Sequence, residues 1–263
     1  MKLTALFAAA ALAVGLVMPV AGQAQELELV EAGKLTVATE GTYPPFSMRA
    51  PDGTLDGLEV RVAKEVANRL GLEYTPVLIK WESLLIGLAA DQYDFASAAM
   101  DITEARQKEV TFADGWLESG GRVVVKTGSE ITKADDIKGR NVGVLVASTW
   151  EKLATDRGAT VKTYKAESDA MQDLVNGNID AVITDSIAAA YAIQTSKLPL
   201  AMTDDYVSHI QKGFPFNKGK KDNLVKAVNK ALADMIADGT YAKLTTELVG
   251  YSPAPKEPIR SMF

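Results

Sequence analysis

The chain contains no cysteine and one histidine among its 263 residues. Without cysteine there is no disulfide, no thiolate metal site and no thiol nucleophile. A triad needing an imidazole would have to use His209, and nothing near it in sequence resembles a nucleophile motif. His209 therefore reads as a surface or hinge residue. Glycine-rich phosphate loops, dinucleotide fingerprints, zinc helix signatures and exposed-serine elbows are missing too. Basic residues are in deficit, 28 Lys and Arg against 34 Asp and Glu, for a net charge of −6. That argues against a nucleic-acid partner, because phosphate backbones reward basic surface. Beyond the first residues, no apolar run approaches the roughly 20 that cross a bilayer.

What is present begins with that first run. Lys2 precedes an apolar stretch over 3–17, a break at Pro19 and Ala-Gly-Gln-Ala at 21–24. This is the charged start, apolar middle and small-residue site of a secretory signal. Residues 1–24 are expected to be removed on export, leaving Gln25 first. The leader carries one base and no acid, so 27 bases against 34 acids leave a mature net charge of −7. With no cysteine at the cleavage site to carry a lipid, a free periplasmic protein is the expectation.

Short β-like runs alternate with helical patterns, which implies parallel βα units and an α/β fold. Strands are expected at 35–38, 74–79, 95–99, 122–126, 141–146, 161–164 and 181–184. Helices are expected at 58–70, 82–90, 103–107, 150–154, 168–176, 186–194, 220–238 and 240–248. Over 58–70, Leu58, Val62, Val66 and Leu70 recur every four residues and Gly71 follows as a stop. The tail from Tyr251 carries three prolines and reads as an extended end. Two β series suggest two lobes, with crossings at 117–122 and 207–213 that could hinge around a cleft. The division expected is 25–119 with 212–263 in one lobe and 120–211 in the other.

Candidate functional residues gather after strands, where an open α/β sheet lines its crevice. Tyr43 and Phe46 flank two prolines after the first strand; Tyr43 reads as a ligand platform and Phe46 as core. Trp81 follows the next strand and suits either a lid or core filling. In Asp101-Ile-Thr-Glu-Ala-Arg106, a helix opens at Thr103 and puts Arg106 in its first turn. A cation there opposes the helix dipole and calls for an anion. That anion is either a ligand carboxylate or a nearby acid such as Glu104 or Asp94. Ser148 and Thr149 open a helix in the second series, as N-caps or as carboxylate ligands. Asp185 does the same, as a cap or as an acceptor for an ammonium. If Glu40, Asp101 and Asp185 converge on one cleft, they favour a cationic ligand.

Six segments, in order, then carry a resemblance: Thr-Tyr-Pro-Pro-Phe at 42–46, the stretch 57–63 entering the first helix, Asp-Ile-Thr-Glu-Ala-Arg at 101–106, Val-Gly-Val-Leu-Val-Ala-Ser-Thr at 142–149, Asp-Ala-Val-Ile-Thr-Asp at 180–185, and Ala-Asp-Gly-Thr-Tyr-Ala-Lys-Leu at 237–244. Over essentially the whole mature chain, it resembles the periplasmic solute-binding proteins of the polar amino acid class that feed ABC importers. The resemblance implies a two-lobed periplasmic-binding-protein fold with two crossover strands and an interlobe ligand cleft. It implies a monomer that captures a polar, cationic amino acid, opine or polyamine and hands it to ABC permease membrane subunits, with no cofactor, metal or catalysis. Tyr43 and Trp81 would pack on the ligand, Arg106 with Thr149 and Ser148 would take its carboxylate, and Asp185 its amino group. Glu40 would face the distal end, and Ala98, Ala99, Met100 and Asp101 would line the first-lobe wall. Ala98, Ala99 and Asp101 stand where this family usually carries small hydroxyl residues or glycine. Two other readings compete: a cyclohexadienyl dehydratase-like enzyme using one of the three acids, and a solute sensor docking on a receptor.

Overall fold

The computed structural model describes residues 26–263, so the leader expected at 1–24 lies outside them. Two five-stranded sheets organise the chain. In the first, strands run in the order Glu73–Leu78, Lys34–Thr39, Phe95–Ala96, Pro215–Asn217 and Val110–Phe112. The first three are parallel, while Pro215–Asn217 runs antiparallel to both neighbours. In the second, the order is Leu200–Lys212, Leu117–Lys126, Ala181–Asp185, Asn141–Leu145 and Thr160–Tyr164. Among the described residues, no helix is long and apolar enough to cross a membrane.

Lys34–Thr39 is buried at five consecutive positions, as a parallel strand covered on both faces should be. Leu35 and Val37 meet Val62 and Val66 of the helix Leu58–Leu70 and Val228 and Leu232 of the helix Asp222–Ala237. Ala38 faces Leu84 and Leu88 on the other side. Each fully buried Val or Leu contributes at most about 1.5–3 kcal/mol. Gly71 ends the first helix at φ 68°, a left-handed turn that glycine adopts freely.

The start of that helix also fixes the aromatic loop. Its first amides, Leu58 N–H and Glu59 N–H, donate to the carbonyls of Pro45 (2.8 Å) and Phe46 (3.1 Å). Gly57 makes this approach possible: its φ is 131°, and a Cβ there would lie 2.2 Å from the Phe46 carbonyl oxygen.

The two crossings are two halves of one ladder. Leu117–Lys126 pairs antiparallel with Leu200–Lys212, from Leu117 opposite Lys212 to Lys126 opposite Leu200. At its lower end Ile102 N–H donates to Gln211 O (2.9 Å) and Gly213 N–H to Met100 O (3.0 Å), tying the ladder to the first sheet. The tail straps along the same strands, with Glu118 N–H donating to Pro253 O and Gly115 N–H to Ile259 O, both at 2.8 Å.

Several elements differ from the sequence expectation. Leu200–Lys212 is a 13-residue strand where only a crossing at 207–213 is expected, because two register shifts between Met202 and Ser208 break its alternation. The strand expected over 95–99 stops at Ala96. Ala99 turns to φ 44° and sends its N–H to the Glu59 carboxylate at 2.5 Å instead of to a ladder. The helix expected over 82–90 is a tight turn at Trp81–Ser83 followed by Leu84–Ala89.

Candidate ligand-binding site

A narrow cavity lies between the sheets. Glu40, Tyr43, Trp81, Ala98, Ala99, Asp101 and Arg106 wall it on one side, Leu145, Ser148, Thr149 and Trp150 on the other, and Lys212 of the crossing strand closes it. Three hydrogen bonds span it. Trp81 Nε1–H donates to Val146 O at 3.0 Å, Thr149 Oγ1–H donates to Asp101 Oδ2, and the Tyr43 and Thr184 hydroxyls meet at 3.4 Å.

Arg106 is held from its own helix start, where its N–H donates to Thr103 Oγ1 at 3.2 Å. Its guanidinium lies 5.3 Å from the Trp81 ring centre and donates one bond, to the Asp101 carbonyl at 3.2 Å. Trp81 therefore lies against the Arg106 guanidinium and reaches across the cavity to Val146 instead of filling the core alone. Neither Glu104 nor Asp94 pairs with Arg106. Glu104 forms no ion pair among the described residues, and Asp94 is taken by Thr36, Val30 and Lys221. Burial lowers the Arg106 pKa, with Asp101 opposing. A desolvated cation with unused donors therefore faces the cavity.

Ser148 does not cap its helix. Its Oγ is buried and lacks any partner among the described residues. Thr149 reaches across to Asp101 instead. Glu40 accepts the Trp81 backbone N–H at 3.1 Å, and burial pushes its carboxyl up to about 7 against that bond, with Glu82 adding to the rise. Beyond Tyr43 a second, more apolar cavity holds Glu167, whose carboxyl burial raises to about 8.

Nine of the eleven residues expected at the site, Ala98 and Ala99 among them, thus meet at one cavity, and two do not. Met100 is 2% exposed and packs with Ala38, Leu84 and Leu88, because the turn at Ala99 carries its apolar side chain into the core. Asp185 is fully buried and lies behind the wall. Its Oδ1 accepts from Ser119 Oγ (2.7 Å) and, as an N-cap, from Ile187 N–H (2.9 Å). Its Oδ2 faces Lys212 Nζ at 2.9 Å. Phe46 is fully buried core, and His209 is exposed on the crossing strand, with its ring 4.5 Å from that of Tyr206.

Leu145, Trp150 and Lys212 line the cavity without being expected there, and Lys212 is the charged one among them. Its ammonium is 2.5 Å from Asp101 Oδ1 and 5.3 Å from the Trp150 ring centre, and its side chain is 2% exposed. Burial alone would lower its pKa, but Asp101 and Asp185 together raise it above its ordinary value. The only sequence signal is a lysine inside an expected crossing, next to Gly213.

Residues 35–250 match the family described as bacterial extracellular solute-binding proteins, family 3. The chain belongs to this family. Among family 3 relatives, the L-cystine-binding protein TcyJ of Escherichia coli K12 is 37% identical over 224 residues, covering 84% of each chain. A solved ancestral arginine-binding protein bound to glutamine superimposes with TM-score 0.78 at 35% identity, over 84% of this chain and 99% of its own. An ancestral amino acid-binding protein, AncCDT-1, a precursor of cyclohexadienyl dehydratase, gives 0.77 at 31%, over 82% and 96%. These family 3 neighbours share the two-lobed α/β fold, and the family is one of extracytoplasmic solute carriers rather than enzymes.

Proposed function

We propose that this family 3 protein works in the periplasm as a monomeric carrier. After loss of residues 1–24 it captures an amino acid, or a close polar relative, between its lobes and delivers it to the membrane subunits of an ABC permease. The lobes are taken as 25–119 with 212–263, and 120–211. One observation carries the reading: the Arg106 guanidinium, half-buried and without a carboxylate partner among the described residues, faces a cavity walled by both sheets. A ligand carboxylate supplies the missing anion and can take two parallel N–H bonds. Ser148 Oγ, buried and unpaired on the opposite wall, offers a further bond to it. Tyr43 and Trp81 provide apolar faces, and Glu40 adds an acid to the same lining. The names of TcyJ and of the ancestral arginine-binding protein support an amino acid as the cargo class.

The mechanism is a population shift. A ligand held by Arg106 on one side and by Ser148 and Thr149 on the other binds the closed arrangement better than an open one, and so favours it. Calorimetry of the purified protein against amino acids, opines and polyamines should give tight one-to-one binding by at least one of them. Binding by none of them overturns the proposal.

A further inference from the structure

Glu59 stands behind the cavity wall rather than in it. It sits in the first turn of the helix Leu58–Leu70, between Leu58 and Val60, and like them is fully buried. An acid buried without a cation is costly, and its compensation here is hydrogen bonds. They come from three separate segments. Thr39 Oγ1–H donates to Oε1 at 3.1 Å, Ala99 N–H donates to Oε2 at 2.5 Å, and the Ser47 hydroxyl donates to the same carboxyl. The main chain of Glu59 adds two bonds: its N–H donates to Phe46 O at 3.1 Å, and its carbonyl accepts from Ser97 Oγ at 3.3 Å.

Each partner borders a stretch that lines the cavity. Thr39 ends its strand and precedes Glu40. Ser47 closes the aromatic loop on Tyr43, through N–H to O bonds of 2.8 and 3.0 Å in the two directions. Ala99 lies beside Ala98, two residues before Asp101, at a left-handed φ of 44°. That conformation strains an alanine, and without the carboxyl its buried amide would lose its acceptor. Backbone pairing between the first and third segments reaches Ser97 N–H on Ala38 O, at 2.7 Å. Beyond it, the Glu59 carboxyl bridges Thr39 to Ala99.

We propose that Glu59 is a positioning residue of the ligand site: its one buried carboxyl fixes the segments that carry Glu40, Tyr43 and Ala98–Asp101 relative to one another, and so sets ligand affinity without touching the ligand. This rests on reading the cavity as an amino-acid site. Binding groups must be held to within a fraction of an ångström by the residues behind them, and three loops tied to one group move together or not at all.

Calorimetry with the tightest binder among the common amino acids and cystine, beside thermal melts, tests this. Glu59→Met keeps the length of the side chain and removes both acceptors. Affinity should fall about tenfold or more while the stoichiometry of the folded protein stays one-to-one. Glu59→Gln can accept from Ala99 N–H through its oxygen and donate to the Thr39 hydroxyl through its amide, and should stay within about threefold of wild type. Asp94→Asn is the comparison. Asp94 is fully buried at the amino ends of the same strands, where it accepts from Thr36 and Val30 and pairs with Lys221. Its loss should lower the melting temperature and leave the affinity of the folded protein unchanged. If Glu59→Met does not fold, Thr39→Val decides: it strips one donor from the carboxyl, outside the cavity, and should weaken binding about threefold or more. Wild-type affinity in folded Glu59→Met overturns the proposal, as it does in Thr39→Val where Glu59→Met does not fold. So does a tenfold loss in Glu59→Gln, or a loss in Asp94→Asn equal to that in Glu59→Met. Binding that Arg106→Ala abolishes and Glu59→Met leaves alone sinks the Glu59 role only. Absence of any amino-acid binding by wild type sinks the reading of the cavity together with it.

Discussion

Replacing Arg106 by alanine separates binding from stability, because the two respond with different signs. In the unligated protein the guanidinium is partly desolvated, and its only compensation is one hydrogen bond to the Asp101 carbonyl and the face of Trp81. The bond contributes about 1 kcal/mol and the ring about 0.5–1 kcal/mol. Against them stands the cost of holding a cation away from water without a counter-ion, which is of comparable size or larger. The variant should therefore melt within about 4 °C of wild type, or above it. Binding behaves oppositely. The ligand carboxylate is left buried without its cation, and truncating one member of such a pair costs about 2–5 kcal/mol. That is roughly a 30- to 4,000-fold loss of affinity. Arg106→Lys keeps the charge but loses the planar fork, and should fall between the two. The assay is calorimetry with the best ligand beside a thermal melt of the unligated protein. Wild-type affinity in Arg106→Ala would refute the argument. So would a large drop in unligated stability, since that would make Arg106 a structural ion holder.

Three further outcomes follow from the geometry. Glu59 is fully buried and burial raises its carboxyl to about 8, although Ser47, Ala99 and Thr39 hydrogen bonds pull the other way; Glu40 and Glu167 are raised to about 7 and about 8. All three bind protons more tightly folded than unfolded, so stability should be full near pH 4.5–5 and fall by several kcal/mol in sum as pH rises to 8; denaturant melts across that range that show stability climbing with pH would contradict it. Gly57→Ala forces a Cβ to 2.2 Å from the Phe46 carbonyl at a φ of 131°, and should destabilise by about 2–4 kcal/mol in chemical denaturation, against no change if the loop gives way freely. Trp81→Phe keeps the ring but loses the Nε1–H bond to Val146 O across the cavity; a closed state weaker by about 1 kcal/mol should lower ligand affinity about fivefold, and an unaltered affinity would mean this bond does not distinguish closed from open.

The parts of the fold that could be read in sequence are those whose period was clean. The helix Leu58–Leu70 repeats its apolar face every three or four residues, and Gly71 stops it where expected. Strands such as Lys34–Thr39 and Asn141–Leu145 announce themselves as short apolar runs between turn residues. The three-residue strands Val110–Phe112 and Pro215–Asn217 are too short for any period, and exist because the sheet offers them partners. Leu200–Lys212 was hidden by its own irregular register, which scatters polar residues over both faces.

The site divides along the same physical line. Glu40, Tyr43, Trp81, Arg106, Ser148 and Thr149 stand at strand ends or helix starts, so local sequence implies that they point into a crevice. Met100 and Asp185 occupy the same kind of position and yet face inward, because what decides their direction is the packing behind them. Lys212 lies beyond local reasoning altogether: a lysine on a strand reads as surface, and only its partnership with Asp101, 111 residues away, and with Asp185 makes burial tolerable. Removing either aspartate should then cost more than its own contacts, since it leaves a buried ammonium half-paired. The two acids and the lysine are one unit, which is why the charge a ligand must carry could not be counted from the acids alone.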